Sequence, residues 1–151
     1  MQKKLGMKVY EAMNRNPIIA SPHDSLPYCA RKMLANNVGC LIIKERDELV
    51  GIATEKDFVE KAVSKELDIK KTKIKDIMTS GMMITTTSDS DLMDAITIMQ
   101  REDVRRLPVI KDKKLIGLLT ITDILKKKPE LLEVLKPFIR KRMQKKKNKR
   151  L

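Results

Sequence analysis

Residues 48–57 read ELVGIATEKD, and residues 114–123 read KLIGLLTITD. Both belong to a longer repeat, because residues 24–57 align with residues 90–123 without a gap. Eight residues recur unchanged: Leu26, Met33, Val38, Leu41, Leu49, Gly51, Thr54 and Asp57 match Leu92, Met99, Val104, Leu107, Leu115, Gly117, Thr120 and Asp123. A supersecondary unit is used twice when one unit cannot bury its apolar face alone. The sequence therefore predicts two repeats packed with pseudo-twofold symmetry and two equivalent clefts between them.

Each repeat predicts the element order β-α-β-β-α, which is an α/β fold. In the first repeat, apolar runs at 18–20, 41–43 and 49–54 predict strands. A helix with an apolar face follows the first strand, and a second helix runs from Glu55 to about Lys65. The second repeat predicts strands at 83–85, 107–110 and 115–119, with a closing helix from Ile121. Strands with two apolar faces, such as 41–43, indicate a sheet that is covered on both sides.

These patterns divide the chain into three parts. The first repeat is placed at residues 7–66, the second at residues 74–128, and a basic amphipathic extension at residues 129–151. A short helical segment that ends in methionine leads each repeat, at Val9–Met13 and at Ile74–Met78.

Composition excludes several classes of function. The two cysteines, Cys29 and Cys40, have no metal-ligand spacing and are expected to be reduced thiols of a cytoplasmic protein. With His23 as the single histidine, neither a zinc site nor a Ser-His or Cys-His catalytic pair is expected. No apolar run approaches the roughly 20 residues of a membrane span, and no signal peptide is visible. We therefore expect a protein without catalytic activity.

The Thr-x-x-Asp pattern at Thr54–Asp57 and at Thr120–Asp123 has two interpretations. Before an apolar run it is close to a helix capping box, which is a structural feature only. At the start of a helix it also offers free backbone N–H groups to a phosphate, and a carboxylate to the diol of a ribose.

Both patterns lie in a wider resemblance. The runs VGCLII (38–43) and ELVGIATEKD (48–57), and in the second repeat VRRLPV (104–109) and LIGLLTITD (115–123), resemble the cystathionine-β-synthase (CBS) domain family. The resemblance covers about residues 7–127, so the chain looks like a stand-alone tandem CBS pair, or Bateman module.

The resemblance implies a sensor of AMP, ADP, ATP or S-adenosylmethionine, with crossed sites between the repeats. In what we call the first cleft, the ligand would lie between residues of both repeats: Thr54, Asp57, Ile84, Thr85, Arg105 and Arg106. In the second cleft the corresponding residues would be Thr120, Thr122, Asp123, Ile19, Ala20, Gly39 and Cys40. The aspartate would hold the ribose, the threonine and the helix start would meet phosphate, and the strand residues would flank the adenine.

The two clefts differ in charge. Arg105 and Arg106 belong to the first, and guanidinium groups suit phosphate oxygens. Gly39 and Cys40 stand at the matching positions of the second. We expect the first cleft to prefer a phosphorylated adenosine, and the second a less charged ligand or none. The alternative is that the arginines only cover apolar surface with their stems.

The net charge of +13 is concentrated at the C-terminal end, with +10 in residues 126–151 and +3 in residues 1–125. Residues 131–143 form an apolar stripe at helical spacing, which we expect to be covered in a homodimer. The basic run 140–151 favours an alternative function, sequence-blind binding of nucleic acid with vestigial ligand sites, or else it only increases solubility. The main interpretation remains a non-enzymatic sensor that binds an adenosine ligand and signals to an unidentified protein partner.

Overall fold

The structure, a computed structural model, describes residues 3–139. In the first repeat the elements are α1 (Val9–Ala12), β1 (Ile19–Ala20), α2 (Leu26–Asn36), β2 (Cys40–Glu45), β3 (Glu48–Thr54) and α3 (Glu55–Asp57). The helix continues from α3 with π geometry over Phe58–Val63, and a 3₁₀ turn follows at Ile74–Asp76. In the second repeat they are β4 (Thr86–Thr87), α4 (Leu92–Glu102), β5 (Arg106–Lys111), β6 (Lys114–Thr120) and α5 (Ile121–Lys127). A 3₁₀ turn at Pro129–Leu131 leads into a helix over residues 132–139.

Each repeat contains a three-stranded sheet, in the order β1-β2-β3 and β4-β5-β6. The first pair of each sheet is parallel and the second is antiparallel. The antiparallel strands are joined by two-residue turns whose residues all have positive φ, as type I′ turns require: Arg46, Asp47, Asp112 and Lys113. The predicted α/β fold with two β-α-β-β-α repeats is confirmed, and residues 41–43 are fully buried as their two apolar faces predict.

The predicted strand at 83–85 was wrong, because β4 begins only at Thr86. In the first repeat, the Ile42 N–H donates to the Ile18 carbonyl at 3.0 Å and holds β1 against β2. The residue that corresponds to Ile42 in β5 is Pro108, which has no N–H to donate. The second sheet therefore loses this hydrogen bond, and Thr85, which corresponds to Ile19 of β1, lies outside β4 together with Ile84.

The segments that lead the two repeats are exchanged. The Val9 N–H donates to the Ser90 carbonyl of the second repeat at 2.9 Å. In the same way, the Ile74 N–H donates to the Asp24 carbonyl of the first repeat at 2.8 Å. Val9 is buried in the core of the second repeat, and Ile74 is buried in the core of the first. The packing units therefore cross the sequence boundaries predicted at 7–66 and 74–128.

Gly51 and Gly117 permit this exchange. A Cβ atom on Gly51 would lie 2.5 Å from the Met78 Sδ and 2.9 Å from the Thr79 carbonyl oxygen. On Gly117 it would lie 2.7 Å from the Met13 Sδ and 2.9 Å from the Asn14 carbonyl oxygen. All four contacts are shorter than a side chain tolerates, so the exchanged segment can approach each sheet only where the side chain is missing.

The apolar stripe of the C-terminal extension is covered within the chain. Leu131, Leu135 and Phe138 are buried in the same cluster as the helices of the second repeat. The stripe whose exposure would favour a homodimer is therefore not exposed over these residues. Met143 and the basic run 140–151 lie outside the described residues.

None of the helices in the described part of the chain combines the length and the hydropathy that crossing a membrane requires.

Candidate functional site

Thr54 and Asp57 form a capping box at the start of α3. The Thr54 N–H donates to the Asp57 Oδ2 at 2.9 Å, and the Asp57 N–H donates to the Thr54 Oγ1 at 3.3 Å. Thr120 and Asp123 repeat the arrangement at the start of α5, with distances of 3.0 Å and 3.1 Å. The structural interpretation of Thr-x-x-Asp is therefore confirmed in both repeats. It fixes where each carboxylate lies.

The second oxygen of Asp57 makes a different contact. Its Oδ1 lies 3.0 Å from the Lys61 Nζ, and the same Nζ donates to the Ile77 carbonyl at 3.2 Å. Lys61 thus links the carboxylate to the exchanged segment that precedes the second repeat. Asp123 makes no ion pair with another residue of the described range 3–139. The two capping aspartates therefore have different surroundings.

A cleft of about 320 Å³ opens beside Asp57, between the two repeats. Five of the six residues predicted for the first cleft line it: Thr54, Asp57, Ile84, Arg105 and Arg106. Thr85, the sixth, is half-buried and does not line it. The structure thus brings together a helix start from the first repeat and a pair of arginines from the second. Ligand binding by these residues stays a prediction.

The sequence did not reveal several residues of this cleft. Ile52, Thr79, Met82, Met83, Asp103 and Val104 also line it. Met82, which is 99% exposed, lies in the irregular segment between Thr79 and β4, where no periodicity marks its position. Lys61 was missed as well, although its spacing of four residues from Asp57 on a helix is typical of an ion pair.

The residues predicted for the second cleft are less uniform in their surroundings. Thr122 is exposed on the first turn of α5, whereas Ala20 is 2% exposed and belongs to the core of the first repeat. The Ile19 carbonyl accepts a hydrogen bond from the Lys32 ammonium. The Gly39 carbonyl accepts the Glu55 N–H at 3.1 Å, and Gly39 lines a groove on the helical side of the first repeat. Ala20 therefore offers almost no surface to a ligand.

The Cys40 thiol lies close enough to the Arg106 guanidinium for the positive charge to affect the pKa of the thiol. Burial raises the pKa of the Cys40 thiol, and the Arg106 guanidinium acts in the opposite direction. Burial also raises the pKa of Cys29, helped by Asp24 and opposed by Lys32, to about 11. Both thiols are therefore protonated at neutral pH, which makes them poor nucleophiles.

Among residues 3–139, no three His, Cys, Asp or Glu side chains come together in a way that would hold a metal ion. The polar groups of the first cleft are two arginines, two aspartates and two threonines. They suit an organic ligand that carries both anionic and hydroxyl groups.

The repeats and the cleft define a paired α/β module with a site of ligand size between its halves. A family model for the CBS domain matches residues 9–64 and 74–130. The chain belongs to the CBS domain family, in which a CBS pair is a regulatory module. An uncharacterized protein of Methanopyrus kandleri is 35% identical over 137 residues, which cover 89% of this chain and 69% of that protein.

Solved structures support the same fold. The CBS domain structure of NE2398 superposes with a TM-score of 0.73 and 32% identity, and the match covers 80% of this chain and 96% of that one. The CBS domain pair of protein MJ0100, solved in complex with 5′-methylthioadenosine and S-adenosyl-L-methionine, superposes with a TM-score of 0.69 and 28% identity. That match covers 80% of this chain and 98% of the other.

Proposed function

We propose that the chain is a non-enzymatic regulatory module whose first cleft binds a phosphorylated adenosine, namely AMP, ADP or ATP. One observation carries the proposal. The start of α3, with Thr54 and Asp57, faces Arg105 and Arg106 of the other repeat across one cleft. Its volume of about 320 Å³ is at the lower end of the range for small-molecule sites.

The related pair of protein MJ0100 binds two adenosine ligands, as its structure with 5′-methylthioadenosine and S-adenosyl-L-methionine records. This supports an adenosine moiety for the present cleft, and S-adenosylmethionine is the competing ligand. Neither of those two molecules carries a phosphate. Arg105 and Arg106 favour one here, because planar guanidinium groups bind phosphate oxygens through paired hydrogen bonds.

The capping box leaves Asp57 one further hydrogen bond to accept. An ionised carboxylate accepts about four hydrogen bonds. The Thr54 N–H and the Thr54 hydroxyl both donate to Oδ2, and Lys61 contacts Oδ1. One ribose hydroxyl can therefore bind Oδ1 directly. A grip on both hydroxyls requires Lys61 to move away.

This competition for Asp57 offers a route from binding to signal. Lys61 holds the Asp57 Oδ1 and the Ile77 carbonyl at the same time. A ribose that displaces Lys61 from Asp57 also changes the contact between Lys61 and the Ile77 carbonyl. Ile77 belongs to the exchanged segment whose docking joins the two repeats. Binding then shifts the balance between docked and loosened arrangements, and a protein partner reads the change.

The test is a thermal-shift panel on the full chain with AMP, ADP, ATP, S-adenosylmethionine, 5′-methylthioadenosine and NADH. A ligand present at 100 times its dissociation constant stabilises the folded state by about 2.7 kcal/mol, which raises the melting temperature by several degrees. If no adenosine compound raises the melting temperature, the proposal fails.

The phosphate assignment is tested separately with Arg106→Ala. We expect AMP binding to weaken by about tenfold or more, because a charge-assisted hydrogen bond is lost, while 5′-methylthioadenosine binding stays the same. Arg101→Ala is the matched control, since Arg101 is an exposed arginine at the end of α4 that pairs with Glu102 at 3.1 Å. An equal loss for both ligands, or none for AMP, would refute the role of Arg106 in binding phosphate.

A further inference from the structure

A second pocket, which we call the hairpin pocket, lies beside the hairpin end of the sheet in the second repeat. It has a volume of about 400 Å³, which is within the range of small-molecule sites. Tyr10 and Arg15 of the exchanged N-terminal segment line it, together with Ser88 and Lys111 of the second repeat. Lys111 and Arg106 stand at opposite ends of β5, about 17 Å apart at the usual rise of a strand. The hairpin pocket is therefore separate from the first cleft.

The two cationic residues of the hairpin pocket are not neutralised by the protein. Neither Arg15 nor Lys111 makes an ion pair with another residue of the range 3–139, and Asp89, which also lines the pocket, makes none either. The hairpin at residues 111–114 carries three lysines and one aspartate, a charge of +2. Guanidinium and ammonium groups are the side chains that bind phosphate in proteins. The charge of this end of the sheet therefore suits an anion.

Ser88 adds a hydroxyl group to the pocket. The residue is 3% exposed and nevertheless lines the pocket. Its carbonyl accepts the Tyr10 N–H at 3.1 Å, whereas its hydroxyl takes part in none of the hydrogen bonds within the described part of the chain. A polar group that the protein leaves unpaired in a buried position binds water or a ligand. The hairpin pocket thus combines two exposed cations with a hydroxyl in its wall.

The equivalent place in the first repeat has the opposite charge. Three residues of the pocket have counterparts 66 positions earlier: Lys111, Asp89 and Ser88 correspond to Glu45, His23 and Pro22. The His23 Nε2 lies 3.9 Å from the Glu45 Oε1, so these side chains contact each other. The hairpin at residues 45–48 carries three acidic residues and one arginine, a charge of −2. The same backbone plan therefore favours an anion at the second repeat and repels it at the first.

We propose that the hairpin pocket binds a phosphate group, either as inorganic phosphate or as part of a small phosphate ester. A phosphate has enough oxygens to accept hydrogen bonds from Arg15, Lys111 and the Ser88 hydroxyl together. Arg15 belongs to the exchanged segment and Lys111 to the hairpin, so the bound anion joins the segment to the sheet. Asp89 can accept a hydrogen bond from a hydroxyl group of an ester. Binding therefore stabilises the docked arrangement of the N-terminal segment.

The test is an NMR titration of the full chain with inorganic phosphate and with glycerol phosphate, at constant ionic strength. Neither probe contains adenosine, so the result does not depend on the nucleotide proposal. We expect saturable changes in the backbone N–H signals of Ser88, Asp89 and Lys111. Tighter binding of glycerol phosphate would assign the pocket to an ester, and equal binding would assign it to phosphate itself. Signals that do not saturate, or that chloride moves equally, would overturn the proposal.

Two variants test the residues of the pocket. Lys111→Glu introduces the residue of the first repeat and should weaken phosphate binding by about tenfold or more, because an attractive charge becomes a repulsive one. Ser88→Ala should weaken binding by about tenfold through the loss of a hydrogen bond to a charged group. Because Lys111 is exposed, Lys111→Glu should unfold at the same temperature as the wild type when phosphate is absent.

Lys113→Glu is the matched control, since it makes the same change of charge on the same hairpin and Lys113 does not line the pocket. Phosphate binding should weaken by about twofold at most, because salt screens a charge that makes no contact with the ligand. If Lys113→Glu weakened phosphate binding as much as Lys111→Glu, the anion would respond to the net charge of the hairpin rather than occupy the pocket. That result would overturn the proposal.

Discussion

The first and second repeats share one backbone plan but differ in what each position carries. Ser25 begins α2, and Asp91 begins α4 at the equivalent position. Ser25 caps its own helix, whereas Asp91 also binds the exchanged N-terminal segment. Duplication fixes the frame, since register, turns and glycines recur. Single side chains then make the two repeats differ. Substitutions at equivalent positions measure how much each side chain contributes to stability.

The glycines that admit the exchanged segments give the largest expected effect. Gly51→Ala places a Cβ 2.9 Å from the Thr79 carbonyl oxygen, which is backbone and cannot rotate away. We expect a loss of about 3 kcal/mol in the free energy of unfolding, from overpacking and from the displaced Ile52–Thr79 pairing. Gly117→Ala should cost a similar amount, because its surroundings repeat those of Gly51. Urea denaturation measures both.

Gly39→Ala is the control for this prediction. A Cβ on Gly39 would lie 3.4 Å from the Glu55 Oε1, which is the end of a flexible exposed side chain. The cost should stay within about 0.5 kcal/mol. If Gly51→Ala were as mild as Gly39→Ala, the exchanged segment would not be held as closely as the structure shows.

This exchange also marks where prediction from the sequence ended. The strands, helix faces and two-residue turns could be predicted because hydrophobic periodicity and turn residues are local signals. The docking of Val9 and Ile74 depends on hydrogen bonds to Ser90 and Asp24, which are far away in the sequence, and no periodicity records such contacts. The late start of β4 could in principle be predicted, because Pro108 lacks the N–H that, at Ile42 in the first repeat, binds the carbonyl of the residue before β1.

The residues of the candidate site also divide into those that the sequence predicts and those that it does not. Thr54 and Asp57 could be predicted because a repeated helix start is a local pattern, and Arg105 and Arg106 because the family resemblance placed them. Met82 and Met83 could not, since they lie in an irregular segment between the docked Thr79 and β4, which begins only at Thr86.

The anchoring of the N-terminal segment gives the next largest effect. The Asp91 carboxylate accepts the N–H groups of Leu5 and Gly6 at 3.0 Å and that of Met93 at 2.9 Å. Asp91→Ala should cost about 2 kcal/mol, because a helix cap and two further charge-assisted bonds are lost. Ser25→Ala removes only a cap and should cost about 1 kcal/mol. Equal costs would show that Asp91 contributes nothing beyond its own helix.

Lowering the pH separates the contribution of Asp91 from that of Ser25. Burial alone would raise the pKa of Asp91, but the three N–H donors and Lys4 outweigh it and lower the pKa below the ordinary value of 3.8. A carboxyl whose pKa is lowered by folding contributes stability above its unfolded pKa and loses it as pH falls through the folded value. The gap in unfolding free energy between wild type and Asp91→Ala should therefore be constant near neutral pH and shrink below pH 3.8. The gap for Ser25→Ala should not change.

The smallest expected effect is a gain in stability, at the pair Ala20 and Thr86. Ala20 is buried in the first repeat, and the Thr86 hydroxyl that replaces it is buried without a hydrogen-bond partner among the described residues. Thr86→Val should stabilise the fold by about 1 kcal/mol, because an unpaired buried hydroxyl is removed. Thr87→Val is the control: the exposed Thr87 hydroxyl lies 2.6 Å from the Ser90 Oγ, and its loss should bring no gain in stability.

Thermal unfolding of Thr86→Val with and without AMP then tests whether the Thr86 hydroxyl has a role in binding. If Thr86→Val is more stable and AMP still raises its melting temperature as in the wild type, the Thr86 hydroxyl destabilises the second repeat without a role in AMP binding. If the shift falls with the gain, the hydroxyl donates to the ligand, and the two repeats differ here because only one of them serves an occupied cleft.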